Sequence, residues 1–204
     1  MPELRHARRR PDAARGHARR RARQRPPEEG PLIPRKTKLR TTLVIGIGNP
    51  GRRDDGLGAA AVERLKRRRL RGVACDANYQ LNVEDALACA GYDTVIFVDA
   101  ARGVDEDGAA GSVDGDAGAV RRLRKPFTFT RVRAAGSMPA MSHALRPEAV
   151  LAIAAELYGK TPDARLLAIR GKCWEVGEGL SAEAEADLAL ALEFLEGFLK
   201  EVRP

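Results

Sequence analysis

Leu43 to Gly58 reads LVIGIGNPGRRDDGLG, an apolar run that breaks into glycines and then sets two adjacent acids, Asp54 and Asp55, ahead of a helical pattern. A buried strand followed by a glycine turn and a helix is the opening unit of an open parallel α/β sheet. Working outward, the apolar run TVIFV at 94–98 ends in Asp99, and His143 stands just before Leu145-Arg146-Pro147, where proline marks a helix start. Three ligand-type side chains therefore fall near three strand ends. In such sheets the carboxyl ends of strands converge on one crevice, so Asp55, Asp99 and His143 can meet despite their separation in sequence.

Short β-branched runs alternate with longer helical stretches from residue 41 onward. The rhythm predicts strands near 41–47, 72–77, 94–99, 127–133 and 164–170, with helices on both faces of a largely parallel sheet. Val62 and Leu65 carry the first helix, and Val150, Ile153, Ala154 and Leu157 a later one. The stripe Leu188, Leu192, Leu195 and Leu199 marks the last. The Gly-, Asp- and Ala-rich segment 102–118 reads as a flexible surface loop. The fold class is α/β, three-layer αβα, with a twisted sheet of about five strands.

The chain has 204 residues and a formal charge of +8, but that charge is unevenly placed. Residues 1–40 hold 14 Lys/Arg against 4 Asp/Glu, whereas the remainder holds 22 against 24. The expected organisation is a disordered basic arm over 1–40 and one folded domain over 41–204, because the arm lacks the large apolar residues needed to bury surface. No aromatic side chain interleaves its arginines to stack on bases, which makes nucleic acid a weak partner class. No secretory signal follows the arginine pairs and no run of about 18 apolar residues occurs, so the expected location is the cytoplasm. Cys75, Cys89 and Cys173 are odd in number and lack a CxxC pair, which excludes a disulfide framework and a zinc–thiolate site.

Three readings compete for the glycine turn. Gly46, Gly48 and Gly51 match GxGxxG, with Asp76 placed 25 residues beyond Gly51, as a dinucleotide site requires. Asp54 and Asp55 oppose that reading by putting negative charge where a diphosphate would sit. The second reading rests on GIGNPG, which resembles the opening of bacterial peptidyl-tRNA hydrolases, yet no histidine occurs between His17 and His143 to supply that family's general base.

The third reading uses more residues: GIGN, four residues, then DDGLG, followed by the strand-associated Asp99, the Ser142-His143 pair and GEGLS at 177–181. Their order resembles the hydrogenase maturation proteases, from about Leu43 to the last helix. The resemblance implies a phosphorylase/hydrolase-like αβα fold and an aspartic-type or metal-dependent endopeptidase. Its implied substrate is the precursor of a nickel–iron hydrogenase large subunit, trimmed of its C-terminal extension after nickel insertion. It implies Asp55, Asp99 and His143 as metal-contacting and catalytic groups, with nickel carried by the substrate and no permanently bound cofactor. Asp54 would support them or cap the first helix. Two carboxylates with one imidazole suit nickel or zinc, whereas carboxylates alone would suit magnesium or calcium. A non-catalytic metal-sensing or precursor-binding module would use the same three ligands. Asn49 fixes the turn or binds the peptide, and the two readings stay open. The segment 76–85, DANYQLNVED, lacks the glycine-rich turn of several relatives.

Overall fold

The computed structural model describes residues 42–103, 122–123, 125–136 and 145–201. In chain order these form β1 (Thr42–Ile47), a 3-10 turn (Arg53–Gly56), α1 (Leu57–Arg68), β2 (Val73–Asn78), α2 (Glu84–Ala90) and β3 (Thr94–Gly103). There follow β4 (Arg122–Leu123), β5 (Phe127–Val132), α3 (Pro147–Tyr158), β6 (Asp163–Gly171) and α4 (Ala182–Glu201). The main sheet runs β2-β1-β3-β6-β5, and short β4 pairs with β3. All pairings are parallel except β5 against β6. The five expected strands are thus present.

Alternation along the strands sends side chains to two cores. Leu43, Ile45, Val95 and Phe97 pack with α2 and α3 on one face, while Val44, Ile96, Val98 and Leu167 pack with α1 and α4 on the other. Continuous apolar runs are what a strand covered on both faces needs. In α4, Leu188, Leu192, Leu195 and Leu199 are buried at a spacing of three or four, each contributing about 1.5–3 kcal/mol. Phe194 and Phe198 of the same helix reach the edge strand, with ring centroids 4.9–5.2 Å from Phe127 and Phe129.

Two boundaries differ from the sequence reading. β3 does not stop at Asp99, since Ala100, Ala101 and Arg102 continue to pair with Ile169, Arg170 and Gly171 of β6. Arg102 and Gly103 are therefore strand, because ladder hydrogen bonds override a composition that reads as turn. The rest of the expected loop, from 104 to 118, lies outside the described residues, as does the arm at 1–40. No helix among the described residues is long and apolar enough to cross a membrane.

Candidate active site at the carboxyl edge of the sheet

The first crossover, through α1, lies on one face of the sheet, and the second, through α2, lies on the other. The order β2-β1-β3 therefore reverses between β1 and β3, a switch point of the kind at whose carboxyl ends open α/β sheets bind ligands. Both described acids of the predicted triad border it. β1 pairs with β3 as far as Gly46 and Val98, so Asp99 is the first β3 residue beyond that pairing. Asp55 lies in the 3-10 turn that leads from β1 into α1. Gly58 presses against both strand ends: a Cβ there would lie 2.2 Å from the Ile47 carbonyl oxygen and 2.6 Å from that of Val98. Close approach of this glycine brings the start of α1 to the β1–β3 edge.

Backbone chemistry sets the turn. Gly48 has φ +127, and a Cβ there would fall 1.9 Å from the carbonyl oxygen of Asp55. Only glycine fits. Asn49 donates its N–H to Asp55 Oδ2 at 3.1 Å and accepts the Gly51 N–H on Oδ1 at 2.8 Å, so its side chain fixes the turn. Asp55 and Asp99 are both half-buried, and Asp99 Oδ1 accepts the Ala100 N–H at 2.8 Å.

Asp54 behaves otherwise than as a cap of the first helix. Neither the 3-10 turn nor α1 has a side-chain cap. The Asp54 carboxylate is fully buried and accepts N–H groups from Lys172 (2.7 Å), Cys173 (2.9 Å) and Ser181 (2.7 Å), together with the Ser181 hydroxyl (2.8 Å). Burial pushes its pKa upward, but these four donors outweigh it and hold the group below the ordinary value of 3.8. Ser181 in turn caps α4, accepting the Ala184 N–H at 3.2 Å. GEGLS at 177–181 thus links the turn to the last helix. Further bonds complete the lock: Arg53 N–H to Gly177, Gly177 N–H to Gly51, and Asp54 N–H to Cys173. Trp174 stands on this loop, its carbonyl oxygen accepting Arg52 Nη2 at 3.3 Å and its ring 4.9 Å from the Arg102 guanidinium carbon. Glu175 and Glu178 are exposed.

His143 lies outside the described residues, as does Ser142. The helix start read after them is present, with Pro147 in the first turn of α3. Leu145, two residues past His143, donates its N–H to Leu81 at 3.1 Å, and Gly48 donates to the Asn78 carbonyl at 3.0 Å. The segment between β2 and α2 therefore joins the glycine turn to the approach of α3. Sequence reading missed its anchor, Asp85, which accepts Asn82 N–H at 2.7 Å and Asn78 Nδ2 at 2.8 Å. The acid reaching back to the N–H three residues earlier is one half of a capping box; the Asp85 N–H donates to the Asn82 backbone carbonyl, not to its side chain. An acid three residues after Asn82 was the available signal. Burial, the largest cause, raises the Asp85 pKa. Burial and then the Asp85 charge push the neighbouring Cys89 thiol up to about 12.

Among the described residues no three His, Cys, Asp or Glu side chains gather closely enough to hold a metal ion. Asp55 and Asp99 supply hard oxygen donors at one edge, which suits an open site more than a closed structural one. The dinucleotide reading fares worse. The N–H groups of Asn49, Gly51, Arg52, Arg53, Asp54 and Asp55 already bond to acceptors within the chain, and Asp76 is exposed, bonding the adjacent Ala77 N–H at 2.9 Å. A diphosphate would find the cradle occupied.

No protein-family model matches the chain, and no curated protein matches it by sequence. Solved structures do. HycI, a [NiFe] hydrogenase maturation protease from Thermococcus kodakarensis KOD1, is similar at a TM-score of 0.55 and 22% identity, over 79% of this chain and 93% of that one. The hydrogenase maturating endopeptidase HybD from E. coli gives 0.54 and 24% over the same shares. The solution structure of an endopeptidase from Escherichia coli gives 0.53 and 22%, again over 79% and 93%. The chain has the fold of the hydrogenase maturation proteases.

Proposed function

We propose that this protein is an endopeptidase that removes the C-terminal extension from the precursor of a nickel–iron hydrogenase large subunit. The observation that carries the reading is the placement of Asp55 and Asp99 at the β1–β3 switch point of a fold shared with hydrogenase maturation proteases. In this reading nickel arrives as part of the substrate and docks against Asp55, Asp99 and His143. The ion supplies Lewis acidity near the scissile carbonyl. The chain supplies orientation: Asn49 fixes one Asp55 oxygen, and the Asp54 lock holds the turn from which Asp55 projects. A site of two carboxylates and one imidazole, without thiolate, binds the free ion weakly, so recognition depends on the metal being presented by the partner. The activity belongs in the cytoplasm, where metal insertion precedes processing.

The test is mass spectrometry of nickel-loaded large-subunit precursor after incubation with the purified chain. Loss of a C-terminal peptide supports the peptidase. A stable complex with the precursor intact would mean a non-catalytic binding module instead.

A further inference from the structure

We infer that Arg52 and Arg102, both positioned by Trp174, form a binding site for a peptide carboxylate at the carboxyl edge of the sheet. Each arginine stands three residues from one of the two candidate acids, Arg52 before Asp55 and Arg102 after Asp99. Odd spacing along β3 sends Arg102 to the opposite face from Asp99, the face on which Ala100 packs toward α1 and α4. Trp174 is built into this edge. Gly171 ends β6 without a side chain, and a Cβ there would lie 3.0 Å from Trp174 Cζ2, so the ring rests against the strand end. The Arg102 guanidinium carbon lies over that ring, 4.9 Å from its centroid, and the Trp174 carbonyl oxygen accepts Arg52 Nη2 at 3.3 Å.

Contact with a ring uses the charge of a guanidinium but none of its N–H donors, which stay available for the paired bonds that a carboxylate takes. Among the described residues no carboxylate pairs with Arg52 or Arg102. Three acids of the neighbouring segments bond elsewhere: Glu175 turns back to accept the Trp174 N–H at 3.1 Å, Glu183 pairs with Lys172 at 3.4 Å, and Asp54 is saturated by its own four donors. Arg102 is half-buried, so its charge is partly withdrawn from water with no internal carboxylate to answer it. A carboxylate from a bound peptide completes it.

The same edge carries Asp55 and Asp99, which disfavour a polyphosphate backbone with its charge at every step. A peptide with a single acid meets the arginines without that repulsion. Asp99 and Arg102 are about 10 Å apart along β3, the span of about three extended residues. The carboxylate of the precursor therefore lies about three residues from the bond that is cut; this placement rests on the proposed function, whereas the binding site does not.

Trp174 is the sole tryptophan of the chain, so its emission reports on this site. The full chain is titrated with short capped glycine–serine peptides carrying one central glutamate or one central glutamine, with an uncapped peptide whose only carboxylate is its C-terminus, and with a uridine oligoribonucleotide. The glutamate peptide is expected to change the emission saturably and to bind about fivefold or more tighter than the glutamine peptide. Arg102→Gln should reduce that ratio to below about twofold. Arg52→Gln, at an exposed position, should lower it in the same direction and guards against misfolding of the Arg102 variant. Arg71→Gln with Arg133→Gln, exposed at the opposite end of the sheet, should leave the ratio near that of the native chain. A saturable response to the glutamate peptide supports an acidic side chain as the ligand, and one to the uncapped peptide supports a chain terminus. Equal affinity for glutamate and glutamine, a preference that survives both Arg52→Gln and Arg102→Gln, equal loss in the control pair, or no saturable change with any peptide would overturn the inference. Tighter binding of the oligoribonucleotide would overturn it in favour of nucleic acid. None of these readings requires cleavage, so a glutamate preference that depends on Arg102, alongside an intact precursor, would count against the proposed function alone.

Discussion

Asp54 and Asp55 are adjacent, yet the fold gives them different surroundings: one is buried and saturated by four internal donors, and the other is half-buried in the 3-10 turn by the β1–β3 switch point. Replacing Asp54 by alanine leaves those donors without their acceptor and should cost about 2–4 kcal/mol in chemical denaturation. Asparagine should recover less than half, because its amide nitrogen cannot accept. The Asp54 pKa is lowered on folding, so its contribution is complete above the unfolded value of 3.8 and disappears as pH falls through the folded value. Unchanged denaturation midpoints for Asp54→Ala at neutral pH would refute the lock. Asp85 has the reverse sign: its raised pKa gives the protonated native form an advantage that is full below 3.8 and is lost as pH rises through the folded value. The stability of Asp85→Asn relative to the native chain should therefore improve as pH rises from 3 to 7, a slope opposite to that of Asp54→Asn. Asp55→Ala, Asp99→Ala and His143→Ala should each remove detectable cleavage while stability stays within about 1 kcal/mol. Wild-type rates in all three would dismiss the site.

At the scale of elements, strands covered on both faces were legible because apolar runs such as LVIGI and TVIFV admit few other fates. The start of α3 was legible through Pro147, and α4 through its leucine stripe. The continuation of β3 through Ala100-Ala101-Arg102-Gly103 was not, since those residues favour a turn locally and only β6 holds them extended. Asp55 and Asp99 could be singled out as acids following apolar runs, but not their exact settings: Asp55 lies in the 3-10 turn and Asp99 inside β3, four residues before its end. The work of Asp54 could not, because its partners lie 118 to 127 residues away and nothing local announces them. GEGLS was visible as a motif, but its function as the bridge between the turn and α4 belongs to tertiary structure. The same helix offers a control remote from the chemistry: Leu195→Ala, fully buried against the α1 side of the sheet, should cost about 2–5 kcal/mol with cleavage retained below the melting transition. Loss of cleavage in a variant that is still folded would extend the active site beyond the switch point.

At the scale of the molecule, the overall charge of +8 describes none of the working surfaces. The acids gather at the carboxyl edge, and an arginine cluster occupies the other end of α1. The β1-α1-β2 crossover separates the two, carrying the chain from the glycine turn along α1 before β2 begins. In the proposed function the substrate's metal is the key to recognition. The most direct measurement compares, by mass spectrometry, the C-terminal processing of one large-subunit precursor in its nickel-loaded and metal-free forms. Cleavage confined to the nickel-loaded form is the predicted result, and equal cleavage of the metal-free form would contradict it.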